Sequence, residues 1–215
     1  MRKKDTVLFD FDGTIMDTND VILTSWQHTF RTLKNREEDV EKLVKTFGEP
    51  LETTIRKFFP DVPAEEAIEI YRTFHRENFS DMIKLFPGTK ELLAELRKRN
   101  YKTGLVTSRL LKTTIQGLEA FGITEFFDVI VTAEDTLKHK PDPQPLNVAL
   151  EKLKADPERA VMLGDTMFDI LCAKNAKVTS VLVSWSLALG GRKDFGENRP
   201  DFTISSTEEL FDIID

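Results

Sequence analysis

From Thr6 the chain reads TVLFDFD, a short apolar, β-favouring run cut off by Gly13. It predicts a buried strand with Asp10 and Asp12 at its end. From about Asp17 to Met82 the pattern changes. Apolar residues recur at helical spacing (Val21, Trp26, Phe30, Leu33, then Val40, Leu43, Val44, Phe47), and no strand pattern interrupts them. Gly48 with Pro50 and Pro60 with Pro63 divide this stretch into about four helices. After Pro87-Gly88 the two periods alternate. Strand patterns in KTGLVTS, DVIVT, AVMLG, VTSVLVS and DFTIS are separated by the helical TKELLAELRKRN, the segment from Lys112 to Phe121, the segment from Pro143 to about Leu153, and MFDILCAKNA. A last helix, TEELFDIID, closes the sequence. Strands alternating with helices predict an α/β fold, a parallel sheet covered on both faces, with the all-helical stretch inserted just after the first strand.

Composition narrows the function classes without naming one. With 215 residues the chain can bury a substantial core. The formal net charge of -7, with no basic run, argues against an extended nucleic-acid surface. A single cysteine, Cys172, excludes an intrachain disulfide. No apolar segment approaches the ~18 residues of a membrane span. MRKKDTVLFD reaches Asp10 too soon for a signal peptide, so the cytoplasm is the expected compartment.

In open parallel α/β sheets, sites form beyond the carboxyl ends of the strands. Several chemistry-bearing residues fall there: Asp10 and Asp12, Thr107 and Ser108, Lys140 in the loop after VIVT, and Asp165. Side chains alternate along a strand, so Asp10 and Asp12 can start on one side. Two carboxylates there repel unless a cation or a shared proton relieves them. Gly13 lets the backbone approach an anionic ligand with no Cβ in the way. In GDTMFD, a helix starting near Thr166 puts Asp165 at its N-cap and Asp169 one turn inside. These acids make an oxygen-rich site suited to Mg2+, an ion that keeps several waters and takes only one or two protein carboxylates. His28, His75 and His139 form no cluster that would favour zinc. In HKPDPQPL, Asp142 and Pro143 read as N-cap and first helical residue, and Lys140 as a fixed cation beside the acids. Hydroxyls and backbone N–H groups at Thr107 and Ser108 could take phosphate oxygens. Cys172, Met162 and the paired phenylalanines of EFF and KFF read as core, and Arg109 and Arg192 as secondary candidates for an anionic substrate.

DFDGT, VTS, KPDP and GDTMFD, in this order and approximate spacing, resemble the haloacid dehalogenase-like superfamily, specifically its phosphatases with a small helical cap. The resemblance spans essentially the whole chain. It implies a Rossmann-like core from residues 1–16 and 83–215 and a helical cap from 17–82. By it, Asp10 would attack phosphorus to give an aspartyl-phosphate, and Asp12 would protonate the leaving oxygen, then deprotonate the hydrolytic water. Mg2+, Lys140, Thr107 and Ser108 would neutralise the transferring phosphoryl group. Asp10, Asp12 (through its carbonyl oxygen) and Asp165 would hold the metal, with Asp169 joining them or orienting Lys140. The cap loop at Gly48-Glu49-Pro50 would close over a small phosphorylated substrate. The implied state is a monomer or weak homodimer.

Within the superfamily, FGEPLETTI, KPDPQPLNVAL and VSWSLALGGR look most like the pyrophosphatase subgroup, with phosphoglycolate phosphatases next, although Ser186 stands where many of the latter carry glycine. The dehalogenases lack the second acid that Asp12 supplies. Sugar-phosphate mutases such as the β-phosphoglucomutases place histidine near the position of Ile22 and carry an Arg/Ser-rich cap loop, which FGEPLETT is not. Phosphonate hydrolases use a cap lysine, for which Lys42 and Lys45 are the candidates. A non-catalytic phosphate-binding protein would have been signalled by loss of Asp10, Asp12 or Lys140, and all three are present.

Overall fold

The computed structural model describes residues 4–189 and 196–215. Its centre is a six-stranded sheet in the order β5-β4-β1-β6-β7-β8, every neighbouring pair parallel. The strands are β1 (Thr6–Phe9), β4 (Lys102–Val106), β5 (Val129–Val131), β6 (Ala160–Gly164), β7 (Thr179–Val183) and β8 (Phe202–Ile204). The central strands β1 and β6 are buried along their whole length and read as apolar runs rather than clean alternations, as expected for strands covered on both faces, whereas the edge strand β8 is exposed at Phe202 and Thr203.

The period-two geometry of β1 sorts its side chains between two apolar layers. Val7 and Phe9 join Leu92, Leu93 and Leu96 of α5 (Thr89–Lys98), Leu118 of α6 (Leu111–Ala120) and Leu210 of α9 (Leu210–Ile214). Leu8 faces the other way, onto Leu146, Ala149 and Leu150 of α7 (Gln144–Leu153) and Cys172 and Ala173 of α8 (Met167–Asn175). Cys172 and Met162 are core, as read from the sequence, and Phe126 and Phe127 pack on the first layer.

The chain leaves β1 toward β4 on one side and leaves β6 toward β7 on the other. Adjacent strands whose connections diverge open a crevice at their carboxyl ends. Asp10 and Asp165 immediately follow these two strands.

Between β1 and α5 lie four helices, α1 (Asn19–Lys34), α2 (Val40–Val44), α3 (Leu51–Phe58) and α4 (Ala64–Met82). They bury a cluster of their own, with Trp26, Phe30, Leu43, Ile55, Phe59, Ala67 and Tyr71 at its centre. A ribbon missing from the sequence reading joins this insertion to the sheet: β2 (Met16–Asp17) pairs antiparallel with β3 (Lys84–Leu85). No described helix is long and apolar enough to cross a membrane.

Three boundaries differ from expectation. The first strand stops at Phe9 rather than running through Asp12, because a turn folds back at Gly13 and Gly13 N–H donates to Met16 O at 2.9 Å. Helix α8 is capped by Thr166, not Asp165: Thr166 and Asp169 form a reciprocal capping box. Helix α7 starts at Gln144 with Pro143 at its N-cap, although the Asp142 carboxylate still accepts the Gln144 N–H at 2.9 Å.

Candidate active site

Asp10 directly continues β1, its N–H donating to Leu163 O at 2.9 Å, so its position is fixed by the sheet ladder. Its carboxylate is buried, and Oδ1 accepts from Lys140 Nζ at 2.8 Å. Among the described residues Oδ2 has no hydrogen-bond partner. Lys140, also buried, donates as well to Asp169 Oδ1 at 2.6 Å and to Val106 O at 3.2 Å. One ammonium thereby ties the ends of β1 and β4 to the first turn of α8. Burial opposes its charge, but the flanking Asp10 and Asp169 carboxylates outweigh this and raise its pKa.

Asp165 lies buried at the end of β6. Its Oδ2 accepts from Ser186 Oγ at 2.5 Å, while Oδ1 is buried with no partner. Burial pushes the Asp165 carboxyl well above the ordinary range, and the nearby Asp169 and Asp10 charges push it further. Burial likewise lifts Asp10, to about 7, even though Lys140 opposes the shift. Gly13 is required here twice over. Its φ is +71°, and a Cβ would lie 1.8 Å from Asp165 Oδ2, so the backbone's close approach is to this carboxylate.

Asp12 sits in the turn, not on the strand, and what aims it comes from elsewhere. Thr18, at the N-cap of α1, caps no backbone group and donates its hydroxyl to Asp12 Oδ1 at 2.7 Å. Arg109 Nη1 donates to the same oxygen at 2.8 Å.

Asp10, Asp12, Thr107, Ser108, Lys140, Asp165 and Gly48 all line one cavity of about 340 Å3 between the sheet end and the inserted helices. Thr107 is buried, its N–H donating to Val131 O at 2.9 Å, whereas Ser108 is exposed. Gly48 reaches the cavity across the helical loop. Its φ is +83°, and a Cβ there would lie 2.8 Å from Thr166 Cγ2. Asp169 stands behind the wall rather than in it. Its Oδ1 is taken by Lys140, and Oδ2 accepts from Thr166 N–H at 3.1 Å and Thr166 Oγ1 at 2.6 Å.

Among the described residues, Lys140 pairs with Asp10 and Asp169 and Arg109 with Asp12, and no cation pairs with Asp165. Oxygens of Asp10, Asp165 and Asp169 lie within 4.8 Å of one another. The excess negative charge, the all-oxygen donor set and the orphaned Asp165 Oδ1 fit a hard divalent cation such as Mg2+. Asp10 and Asp165 have oxygens to offer it, whereas both oxygens of Asp169 are engaged.

The sequence reading gave no role to Tyr71 and His75, which line the cavity from α4, and ranked Arg109 as secondary. The signal for the first two was the four-residue spacing of Tyr71, His75 and Phe79, one helical stripe. Ile22 also lines the wall, while Lys42 and Lys45 are exposed and do not. Arg192 lies outside the described residues.

Residues 7–183 match the haloacid dehalogenase-like hydrolase family. The chain is 37% identical over 209 residues to the pyrophosphatase PpaX of Bacillus cereus (strain G9842), covering 97% of this chain and 95% of that protein. Its fold is similar to a haloacid dehalogenase-like hydrolase of Streptococcus pneumoniae, with a TM-score of 0.87, 25% identity and 98% of each chain covered. A putative phosphoglycolate phosphatase of Lactobacillus plantarum superimposes with a TM-score of 0.86 at 24% identity, over 99% of this chain and all of the other. With a family match over most of its length and a relative this similar end to end, the chain belongs to the haloacid dehalogenase-like hydrolases.

Proposed function

We propose that the protein is a Mg2+-dependent phosphohydrolase that transfers a phosphoryl group to Asp10 and then to water, with inorganic pyrophosphate as substrate. The observation that carries this reading is the buried Asp10 carboxylate, held through one oxygen by Lys140 and open at the other. A nucleophilic carboxylate needs one free oxygen and a reason to remain ionised. Lys140 supplies part of that reason.

One oxygen of the Asp10 carboxylate attacks phosphorus, and the bond to the leaving-group oxygen breaks. Asp12 gives that oxygen a proton. In the second half Asp12 takes a proton from water, whose oxygen attacks the phosphorus of the aspartyl-phosphate. Inorganic phosphate leaves, and the Asp10 carboxylate is restored. Throughout, Thr18 holds Asp12 through its hydroxyl. Asp10 and Asp165, with the Asp12 carbonyl oxygen, would hold Mg2+, which supplies charge neutralisation at the phosphoryl oxygens. Asp169 orients Lys140 and caps α8. Thr107 and Ser108 contribute backbone and hydroxyl donors, and residues 17–82 act as a cap whose Gly48 loop excludes water over the bound substrate.

Pyrophosphate is preferred because the 37% identical relative that covers nearly the whole chain is a pyrophosphatase. The Ile22 side chain in the cavity wall supports hydrolysis over a mutase, which would need histidine near there. Chemistry on this substrate class fits a cytoplasmic enzyme, either a monomer or a weak homodimer. Phosphate release in the presence of Mg2+ from pyrophosphate, phosphoglycolate, a hexose phosphate and an aryl phosphate tests the reading. The expected result is a preference for pyrophosphate that Asp10→Asn abolishes. A preference for phosphoglycolate overturns the substrate, and turnover that survives Asp10→Asn overturns the covalent route.

A further inference from the structure

Arg109 is placed as a ligand-reading residue more than as a structural one. Its guanidinium lies over the rings of Phe79 at 4.5 Å and Phe11 at 5.3 Å, which fixes its plane at the junction of the helical insertion and the sheet. Nη1 holds Asp12, yet Nε is buried with no hydrogen-bond partner and Nη2 has none among the described residues. An arginine carries five N–H donors; the buried Nε is costly to leave unpaired, and the others that Asp12 does not take are available to a ligand in the cavity.

The surroundings share this incompleteness. Tyr71 and His75 stack along α4 beside Arg109, with ring centroids 5.9 Å apart, and His75 continues onto Phe79 at 5.3 Å. Among the described residues neither the Tyr71 hydroxyl nor the His75 ring nitrogens find a hydrogen-bond partner, and both side chains line the cavity. Burial, reinforced by the Arg109 charge, lowers the His75 pKa to about 3, so it faces the cavity as a neutral ring able to donate or accept. The exposed Arg72, Arg76 and Lys112 lie on the same cavity wall. Lys140 and the carboxylates come to the cavity from the sheet, whereas Tyr71, Arg72, His75 and Arg76 come from α4 and Lys112 from α6.

We propose that Arg109, with the Tyr71 hydroxyl and the His75 ring, forms the subsite for the leaving group, and that this subsite selects leaving groups bearing their own negative charge, such as a second phosphate or a carboxylate. The inference deepens the phosphohydrolase reading and rests on it for the identity of the transferred group. Arg109 has donors to spare for the ligand. Thr18 donates to the same Asp12 oxygen, so Asp12 is positioned by two donors and the remaining donors of Arg109 need not leave it to reach a leaving group.

The test is calorimetric binding of three non-hydrolysable probes in excess Mg2+: ethylphosphonate, phosphonoacetate and methylenediphosphonate. In the wild type the two doubly functional anions bind tighter than ethylphosphonate, and the tighter of the two identifies carboxylate or phosphate as the group read. Arg109→Gln reduces that advantage by about 10- to 100-fold, the range for hydrogen bonds to a charged group. Arg109→Lys retains part of it. Tyr71→Phe, which removes only the hydroxyl, and His75→Phe, which keeps an aromatic ring in the stack without its nitrogens, each reduce it by about three- to tenfold. Equal weakening of all three probes by Arg109→Gln, or no advantage for the anionic probes in the wild type, overturns the subsite. Arg109-dependent discrimination in a protein that releases no phosphate from any substrate would instead uphold the subsite and overturn the hydrolase reading.

Discussion

Lys140 Nζ lies 2.6 Å from Asp169 Oδ1, closer than its 2.8 Å to Asp10, so the lysine is seated on the buried acid behind the site and presented to the one in front. Removing it would leave two buried carboxylates without their cation. Lys140→Met is expected to destabilise the protein by about 3–5 kcal/mol, the range for breaking a buried pair at one partner. The loss shrinks as pH falls and Asp10 takes up its proton. Urea unfolding at pH 8 and pH 5 checks this, and an equal loss at both values contradicts it.

Burial lifts the Asp10 carboxyl from 3.8 to about 7 and raises Asp165 in the same direction. The folded protein then binds more protons than the unfolded chain between these values. Without a divalent cation, stability is fullest below pH ~4 and falls as pH rises toward 7. A cation held by the two carboxylates offsets that loss, so Mg2+ should raise the thermal midpoint more at pH 8 than at pH 5. An equal rise at both pH values would show that these carboxylates do not hold it.

Ser186 donates to Asp165 Oδ2 and thereby aims the orphaned Oδ1. Ser186→Ala removes that donor without touching Asp10 or Lys140. The Mg2+ concentration for half-maximal activity should rise by about tenfold, the lower end for loss of a partner that orients a metal ligand. An unchanged Mg2+ dependence would remove Asp165 from the metal site.

Gly48 combines a φ of +83° with a Cβ direction that runs into Thr166 and Phe168 on α8. Gly48→Ala carries both the strain of a left-handed conformation, about 1–3 kcal/mol, and a collision that holds the loop off the sheet end. Loss of water exclusion should lower kcat/KM by about tenfold, the cost of a slight misplacement in a closed site being of this order or larger. Steady-state kinetics beside a thermal melt separates the two effects. A variant that melts early but turns over normally would show that the loop takes no part in closure.

The sheet was legible because its strands are short apolar, β-favouring runs separated by stretches of helical period, and β6 has the limits that AVMLG implies. The four-helix insertion was legible for the converse reason, a sustained helical period with no alternation. Less legible was anything decided by a turn. Asp12 lies in a fold-back at Gly13, so strand periodicity said nothing of its aim, which Thr18 and Arg109 set from α1 and the end of β4. The two-residue strands β2 and β3 are too short to leave a pattern and exist because the insertion must leave and rejoin the sheet there. Asp165 read as a cap because it precedes a helix, yet Thr166 is next to it and Asp169 completes the box. Tyr71 and His75 belong to an apolar helical stripe that looks like any core stripe until the cavity opens over it.

The central claim is that Asp10 carries the phosphoryl group. Asp12→Asn keeps the nucleophile but removes the group that activates water, so the covalent species should accumulate. Rapid acid quench of this variant with Mg2+ and phosphorus-labelled pyrophosphate, followed by peptide mapping, is the direct test. Label on the peptide containing Asp10, absent from the Asp10→Asn/Asp12→Asn pair, is the predicted result. Phosphate released by the enzyme with no label ever appearing on that peptide would contradict the account.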